Sequence, residues 1–199
     1  GGYFVKMYQE RACMLAGDEG WQLEGMYIDG SGGGLSLRNY GPLTIVAGSS
    51  RRTGNSVCGW SRLEEFCRDF FPNWQERYRW ANQDCMTLDE VPYVGPYFSG
   101  QEWILTAAGY NKWGMSGSMA AAMILTDRVL GRDNPFAKIF SPDRSIWTWQ
   151  LARNGIETCK NMIKPTAPRC SHLGCALKWN EEEVSWDCPC HGSRFDEEG

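Results

Sequence analysis

Two histidines are all that this chain of 199 residues contains. Both stand beside cysteines in one short stretch, PRCSHLGCALKWNEEEVSWDCPCHGSRF, residues 168–195. The spacing is Cys170-x-His172, fifteen residues, then Cys188-x-x-His191. Two thiolates and two imidazoles make a four-ligand set, for which zinc and an iron–sulfur cluster are the chemical candidates. The order of the ligands separates them. A zinc finger of two cysteines and two histidines groups each type in its own box, whereas here each box contributes one of each. One cysteine and one histidine per loop suits a [2Fe–2S] cluster in which one iron is held by two thiolates and the other by two imidazoles. Neutral imidazoles donate less charge than thiolates, so such a cluster sits higher in potential than a four-cysteine one, at about −150 to +300 mV.

The strings CSHLGC and CPCHGSRF resemble the Rieske boxes C-T-H-L-G-C and C-P-C-H-G-S of the disulfide-bearing type, with Ser171 for threonine the one change. The resemblance implies that Cys170 and Cys188 hold one iron and His172 and His191 the other. It also implies a disulfide between Cys175 and Cys190, and a hydrogen bond from Ser193 to a bridging sulfide that tunes the cluster. High-potential respiratory relatives have a tyrosine two positions after that serine, where this chain has Phe195. Without that hydroxyl the potential is expected in the lower or middle part of the range. A cluster of this kind passes electrons and has no open iron position for a substrate. A Rieske oxygenase needs in addition a mononuclear iron held by two histidines and a carboxylate, and no histidine is left over to build one.

A second resemblance lies upstream. RWANQDCMTLDEVPYVGP followed by WILTAAGYNKWGMSGSMAAAMILTDRVLG is similar to the C-terminal half of flavin oxidoreductases of the D-amino-acid oxidase and glycine oxidase type. Trp80, Thr87, Asp89, Pro92 and Gly95 fit that family's W-x-x-x-x-x-T-x-D-x-x-P-x-I-G stretch, with Val94 at the isoleucine position. A helix starting after Gly114 offers unpaired backbone N–H groups and a positive dipole end, which suits the anionic N1–C2=O edge of a reduced flavin. Glycines let that backbone come close. The resemblance implies that Gly109, Lys112, Trp113, Gly114, Met115 and Ser116 lie along the isoalloxazine of FAD. Lys112 falls where glycine-oxidase-like relatives often have arginine in G-x-x-R-x-G, and a lysine is a point charge rather than a carboxylate fork. Arg38, in LSLRNY, is therefore the expected substrate-domain cation.

Together the two parts resemble a bacterial class in which a D-amino-acid-oxidase-like FAD domain carries a C-terminal Rieske domain. The implied function is an oxidoreductase. FAD-dependent oxidation of a small amine or amino-acid-like substrate would be coupled to single-electron transfer through the [2Fe–2S] cluster to or from an unidentified donor or acceptor. One alternative is a pure Rieske electron carrier without substrate chemistry of its own, and a more remote one is a structural zinc module.

The elements that must position these residues follow from patterning. WQLEGMYIDG, PLTIVAG and ERYRWANQD are candidate strands, broken by glycine and proline. Ser61-Arg-Leu-Glu64 is a capping-box pattern leading into LEEFCRDFF, closed by Pro72. A buried strand ends near Ala108, a glycine loop follows, and Ala120, Ala121 and Ala122 start a close-packing helix that ends at Gly131. After the linker RDNPFAKIFSPDRS, IWTWQLARNGIETCKNMI reads as a helix stopped at Pro165. DGSGGG begins like G-x-G-x-x-G but meets Leu35 at the sixth position and a strand-like LSLRN beyond it, so a hairpin turn is expected.

The fold class expected is α+β: the C-terminal half of a D-amino-acid-oxidase-like flavoprotein, followed by a truncated all-β Rieske domain. Residues 1–132 are assigned to the former, with the substrate sheet over about 1–100 and the return to the FAD domain over about 101–132. Residues 133–165 are a linker and helix, and 166–199 the Rieske domain.

Composition narrows the partners. A net charge of −4 without a basic stripe argues against nucleic acid. The longest apolar run, Met119–Leu125, is far short of the roughly 20 residues that span a bilayer. The chain opens on Gly-Gly and shows no signal segment, so it reads as an internal portion of a longer protein. Cys13, Cys58, Cys67, Cys85 and Cys159 lack regular spacing and are expected as buried inert thiols in a reducing cytoplasm.

Overall fold

The computed structural model describes residues 3–30, 34–55, 59–146, 149–164 and 168–198. In chain order its elements are α1 (Tyr3–Lys6), β1 (Met7–Asp18), β2 (Tyr27–Ile28), β3 (Ser36–Tyr40), β4 (Leu43–Arg52), α2 (Ser61–Phe70) and β5 (Gln75–Thr87). There follow β6 (Tyr93–Pro96), β7 (Leu105–Ala108), α3 (Gly114–Val129), α4 (Ala137–Phe140), α5 (Trp149–Ile163), β8 (Lys178–Asn180), β9 (Ser185–Asp187) and β10 (Arg194–Phe195). The class is α+β, with antiparallel pairing in a five-stranded sheet of order β2-β3-β4-β1-β5, a pair β6-β7 and a small sheet β10-β9-β8.

The large sheet centres on β1, which sequence patterning did not single out. Side chains alternate across a strand, and both faces of β1 are covered, so no simple alternation marks it. On one face Cys13 and Leu15 pack with Val46 of β4 beneath Trp60, Leu63, Cys67 and Phe71. Leu63 and Cys67 are four apart, which sets them on one side of α2. The other face carries Glu10, Ala12 and Met14, opposite Asp84, Asn82 and Trp80 of β5. The β1–β4 register slips between Arg11 and Cys13, and Ser49, at φ 53°, takes up the irregularity on β4.

Several local expectations change. The capping box does not form: Trp60 is the N-cap, its carbonyl accepts from the Glu64 amide at 2.9 Å, and no side chain caps the helix. Trp60 is itself buried in the core, which starts the helix one residue before the serine can cap it. Helix α3 begins at Gly114 rather than at the alanines, so Gly117 lies inside it. A Cβ there would meet the Tyr110 ring at 2.7 Å, so glycine lets that ring lie on the helix. Strands β2 and β3 pair antiparallel, while Ser31–Gly33 of the expected turn lie outside the described residues. No helix is long and apolar enough to cross a membrane among the described residues.

The scattered cysteines divide. Cys67 fits the expectation of a buried inert thiol, because burial, with Glu76 and Glu64 nearby, pushes it up to about 12. Cys85 and Cys159 are exposed thiols. Cys13 is disulfide-bonded rather than a free thiol, and Cys58 lies outside the described residues.

Candidate metal centre

The two boxes fold as the same turn. Gly174 N–H donates to the Cys170 carbonyl and Gly192 N–H to the Cys188 carbonyl, each at 2.9 Å. Cys170 N–H in turn donates to the Cys175 carbonyl at 2.9 Å, and Cys188 N–H to the Ser193 carbonyl at 2.8 Å. The glycine that closes each turn has a positive φ, 69° at Gly174 and 76° at Gly192, a conformation other residues adopt only with strain. The small sheet holds the turns together. Buried Asp187 on β9 accepts from Asn180 at 3.0 Å, Ser185 at 3.1 Å and Arg194 at 2.8 Å. Arg169 ties the first box to the end of α5, donating to the carbonyls of Met162, Lys164 and Gly174.

These turns bring thiols and imidazoles together with opposite exposure. Cys170, Cys175, Cys188 and Cys190 are buried in one cluster with Leu177, backed by Trp186 and Phe195. The His172 and His191 rings lie 5.1 Å apart at 75°, the first exposed and the second half-buried. The Cys188 thiol is held well below its ordinary value. A side-chain bond from Cys190 contributes most, burial opposes, and the His191 and Cys190 amides and Cys170 add to the lowering. A site that favours thiolate before any metal is considered suits a metal ligand.

The expected Cys175–Cys190 disulfide is corrected: both are free thiols. The sulfurs of Cys175, Cys188 and Cys190 lie within 4.8 Å of one another, so Cys190 has two thiol neighbours rather than one. Ser193 is half-buried.

The cluster boxes dock on the large sheet. Arg11 of β1 forms a bidentate pair with Glu183 in the β8–β9 turn, side chains 7% and 11% exposed. Glu183 also meets Arg194 at 3.2 Å. Gln83 of β5 donates to the Gly192 carbonyl at 3.0 Å. A Cβ on Gly192 would meet Gln9 Cγ at 2.5 Å and Gln83 Nε2 at 2.7 Å, and one on Gly54 would meet Pro189 at 2.7 Å. Gln9, Arg11 and Gln83 came from no sequence motif. Gln83 reads as a polar residue of a candidate strand, Gln9 and Arg11 lie in the strand that patterning did not single out, and only the docked turns give the three a role.

The glycine loop before α3 wraps the ends of the same two strands, with Gly109 and Asn111 at Thr87 and Lys112 reaching the face opposite the cluster box. Gly109 (φ 74°), Asn111 (φ 50°) and Lys112 (φ 73°) are all left-handed. Asn111 Oδ1 accepts from the Thr87 amide at 2.7 Å, while its Nδ2 donates to Thr87 Oγ1 at 3.0 Å and the Gly109 carbonyl at 2.9 Å. A Cβ at Gly109 would lie 2.3 Å from Thr87 Cγ2. Lys112 reaches the sheet, with Nζ 3.0 Å from Asp84 and 3.5 Å from Glu10. Gly114, Met115 and Ser116 open the helix behind Trp113, its N-cap. Trp113 is 63% and Met115 92% exposed, and Ser116 Oγ donates to the Trp113 carbonyl at 3.4 Å. Arg38 is exposed and lines a cavity of about 410 Å³ with Trp113, Tyr27 and Met26. Asp89 serves structure, because its carboxylate takes both arms of Arg144 at 2.7 and 2.8 Å.

Residues 134–199 match the sequence model of the Rieske [2Fe-2S] domain. The chain carries a Rieske domain. Its sequence is 28% identical to YhfW of Bacillus subtilis (strain 168), named as a Rieske 2Fe-2S iron-sulfur protein, in an alignment covering all of this chain and 49% of that relative. The cytochrome b6-f complex iron-sulfur subunit of Nostoc punctiforme is 57% identical over 30 residues, 15% of this chain and 17% of that protein. Among solved structures, glycine oxidase from Geobacillus kaustophilus superposes with a TM-score of 0.59 at 18% identity, over 71% of this chain and 40% of its own. L-amino acid deaminase from Proteus vulgaris does so with 0.52 at 18%, over 71% and 37%. Most of this chain therefore shares its fold with a part of these two enzymes. The chain spans about half the length of YhfW and less of the oxidases.

The Rieske domain's donor set fits a [2Fe–2S] cluster: buried thiols on the inside, a pair of imidazoles on the outside, and a sulfur already ringed by donors. The match takes in the linker and α5 as well as the boxes, in keeping with the Arg169 tie between them.

Proposed function

We propose that this chain is the substrate-sheet and Rieske portion of a flavin-dependent oxidoreductase that oxidises a C–N bond of an amine or amino-acid-like substrate. One observation carries the reading. Successive residues of a strand face opposite ways, so Gln9 and Gln83 bear the second cluster box while Glu10 and Asp84, their chain neighbours, bear the Lys112 loop. The cluster box thus bears on one face of the sheet and the Lys112 ammonium on the other, while Gly109 and Asn111 of the same loop wrap the strand ends at Met7 and Thr87. In this reading Cys170 and Cys188 hold one iron, His172 and His191 the other, and Ser193 tunes the bridging sulfide. FAD, bound along Gly109–Ser116, would accept a hydride and release its two electrons singly, as the cluster requires.

The residues of the chain supply placement. Asn111 and Lys112 pin the loop so that the amides at the start of α3 face outward, where the helix dipole favours an anionic group. Gly109 lets the loop lie on Thr87, and Gly114 opens the helix with open space beside it. Exposed His172 offers the outer partner a point of electron exchange.

The test combines iron, acid-labile sulfide and flavin analysis of the protein in its full natural length. Amine or amino acid is then added without oxygen while EPR follows the cluster. A reduced [2Fe–2S] signal that appears on substrate addition supports the proposal. A cluster without bound flavin leaves the pure electron carrier, and zinc without sulfide refutes both.

A further inference from the structure

Two carboxylates and one guanidinium stand at the root of the second cluster box, and by themselves they do not balance. Asp187 on β9 and Arg194 on β10 form a cross-strand pair, with Arg194 Nε 2.8 Å from Asp187. The next residues along the two strands are Cys188, an iron ligand in the proposed set, and Ser193, whose carbonyl accepts from the Cys188 amide at 2.8 Å. Arg194 also reaches Glu183 at 3.2 Å. Asn180 Nδ2 bridges the two carboxylates, donating to Glu183 at 3.1 Å and to Asp187 at 3.0 Å. Within the Rieske domain, then, one cation of this network faces two anions.

The second cation comes from outside that domain. Arg11 of β1 lies far upstream of the matched residues 134–199 and closes both arms on Glu183, so that the four charges cancel. Side chains as little exposed as Asp187, at 4%, and Glu183, at 11%, are weakly screened by solvent and act at longer range than surface charges. Reduction of a [2Fe–2S] cluster adds one electron and so one negative charge. A cation fixed nearby stabilises the reduced form, and an anion the oxidised one.

We propose that Arg11 is a positioning residue whose charge, applied through Glu183 at the root of the second box, raises the cluster's potential above that of the undocked Rieske domain. The large sheet thereby sets the redox level of the domain it carries. The effect is reciprocal by linkage: docking favours reduction, and reduction tightens docking. The inference rests on the ligand set proposed above and is independent of the flavin.

The experiment is an EPR-monitored redox titration of the cluster in the full-length protein, after iron and sulfide analysis. Arg11→Met should lower the midpoint and Glu183→Gln should raise it, while the double variant should return close to wild type. A merely structural contact would move both single variants the same way, through a loosened cluster. Arg11→Lys keeps the charge without the bidentate fork, so its midpoint should stay near wild type even as its urea midpoint falls. Glu182→Gln, exposed in the same turn, is the control and should leave the potential unchanged. Single-variant shifts of the same sign, no shift, or an Arg11→Lys midpoint as low as that of Arg11→Met overturns the inference. If Arg11→Met holds no cluster, the sign of the Glu183→Gln shift decides alone, and a fall or no change overturns it. Wild-type protein without iron and sulfide removes the ligand set as well, whereas an intact cluster without opposed shifts removes this inference only.

Discussion

Gly192 and Gly174 offer a matched pair for testing whether the Rieske domain is seated on the sheet. Both close a ligand turn with nearly equal positive φ, 76° and 69°. Alanine at Gly174 finds nothing within 4 Å, so its cost is the left-handed conformation alone, about 1–2 kcal/mol. Alanine at Gly192 carries the same cost and drives its Cβ to 2.5 Å from Gln9 Cγ and 2.7 Å from Gln83 Nε2. Overpacking of this kind adds about 1–3 kcal/mol. With a urea dependence of about 2 kcal/mol/M, the Gly192→Ala midpoint should fall below that of Gly174→Ala by about 0.5–1.5 M. The assay is urea unfolding of the cluster-loaded protein, followed by tryptophan fluorescence and by the cluster's visible absorption. Gln9→Ala in the Gly192→Ala background removes the nearest clashing atom and should recover part of the loss. Equal midpoints for the two alanine variants, or no recovery, would refute the seating of the box on β1 and β5.

Three further outcomes are expected. Burial alone would raise the Asp89 carboxyl, but the Arg144 hydrogen bonds and charge, with the Val91 amide, hold it below the ordinary carboxylate value. The stability it gives is present above the unfolded pKa of about 3.9 and is lost as pH falls through the lower folded value. Asp89→Asn should therefore cost about 1–3 kcal/mol at pH 7, and its deficit should shrink below about pH 4; a deficit that does not change with pH in urea melts counts against this. Phe195→Tyr should raise the cluster midpoint in protein-film voltammetry, starting from a wild-type value away from the top of the roughly −150 to +300 mV range; a wild-type midpoint near the top sinks the account. In native protein, iodoacetamide should label Cys85 and Cys159 and spare Cys67, as read by mass spectrometry, because the first two are exposed and burial raises the third.

Much of the site is legible without coordinates, because local spacing encodes it. Cysteine and histidine two or three positions apart commit a loop to a metal, and the glycine four residues after each ligand cysteine, Gly174 and Gly192, closes both turns by the same hydrogen bond. The glycine loop was legible for a similar reason, since Gly109 and Gly114 mark backbone that must bend or come close. Asn111 was missed although asparagine tolerates the left-handed region, because its function is a long-range bond to Thr87. The Cys175–Cys190 bridge, carried over from resemblance, did not survive the observed placement of the sulfurs.

By itself, then, the sequence determined the chemistry of the cluster boxes, the α+β class and the positions of α2 and α5 to within a few residues, since each is set by neighbours within about one or two turns of chain. Tertiary structure alone decided which residues share a face of β1. Side-chain direction along that strand means nothing until β4 and β5 pair with it, and then Gln9 falls to the cluster while Glu10 falls to Lys112. It decided likewise that Lys112 is spent between two carboxylates, because the repulsion it relieves exists only once Glu10 and Asp84 are brought opposite each other, 74 residues apart in the chain.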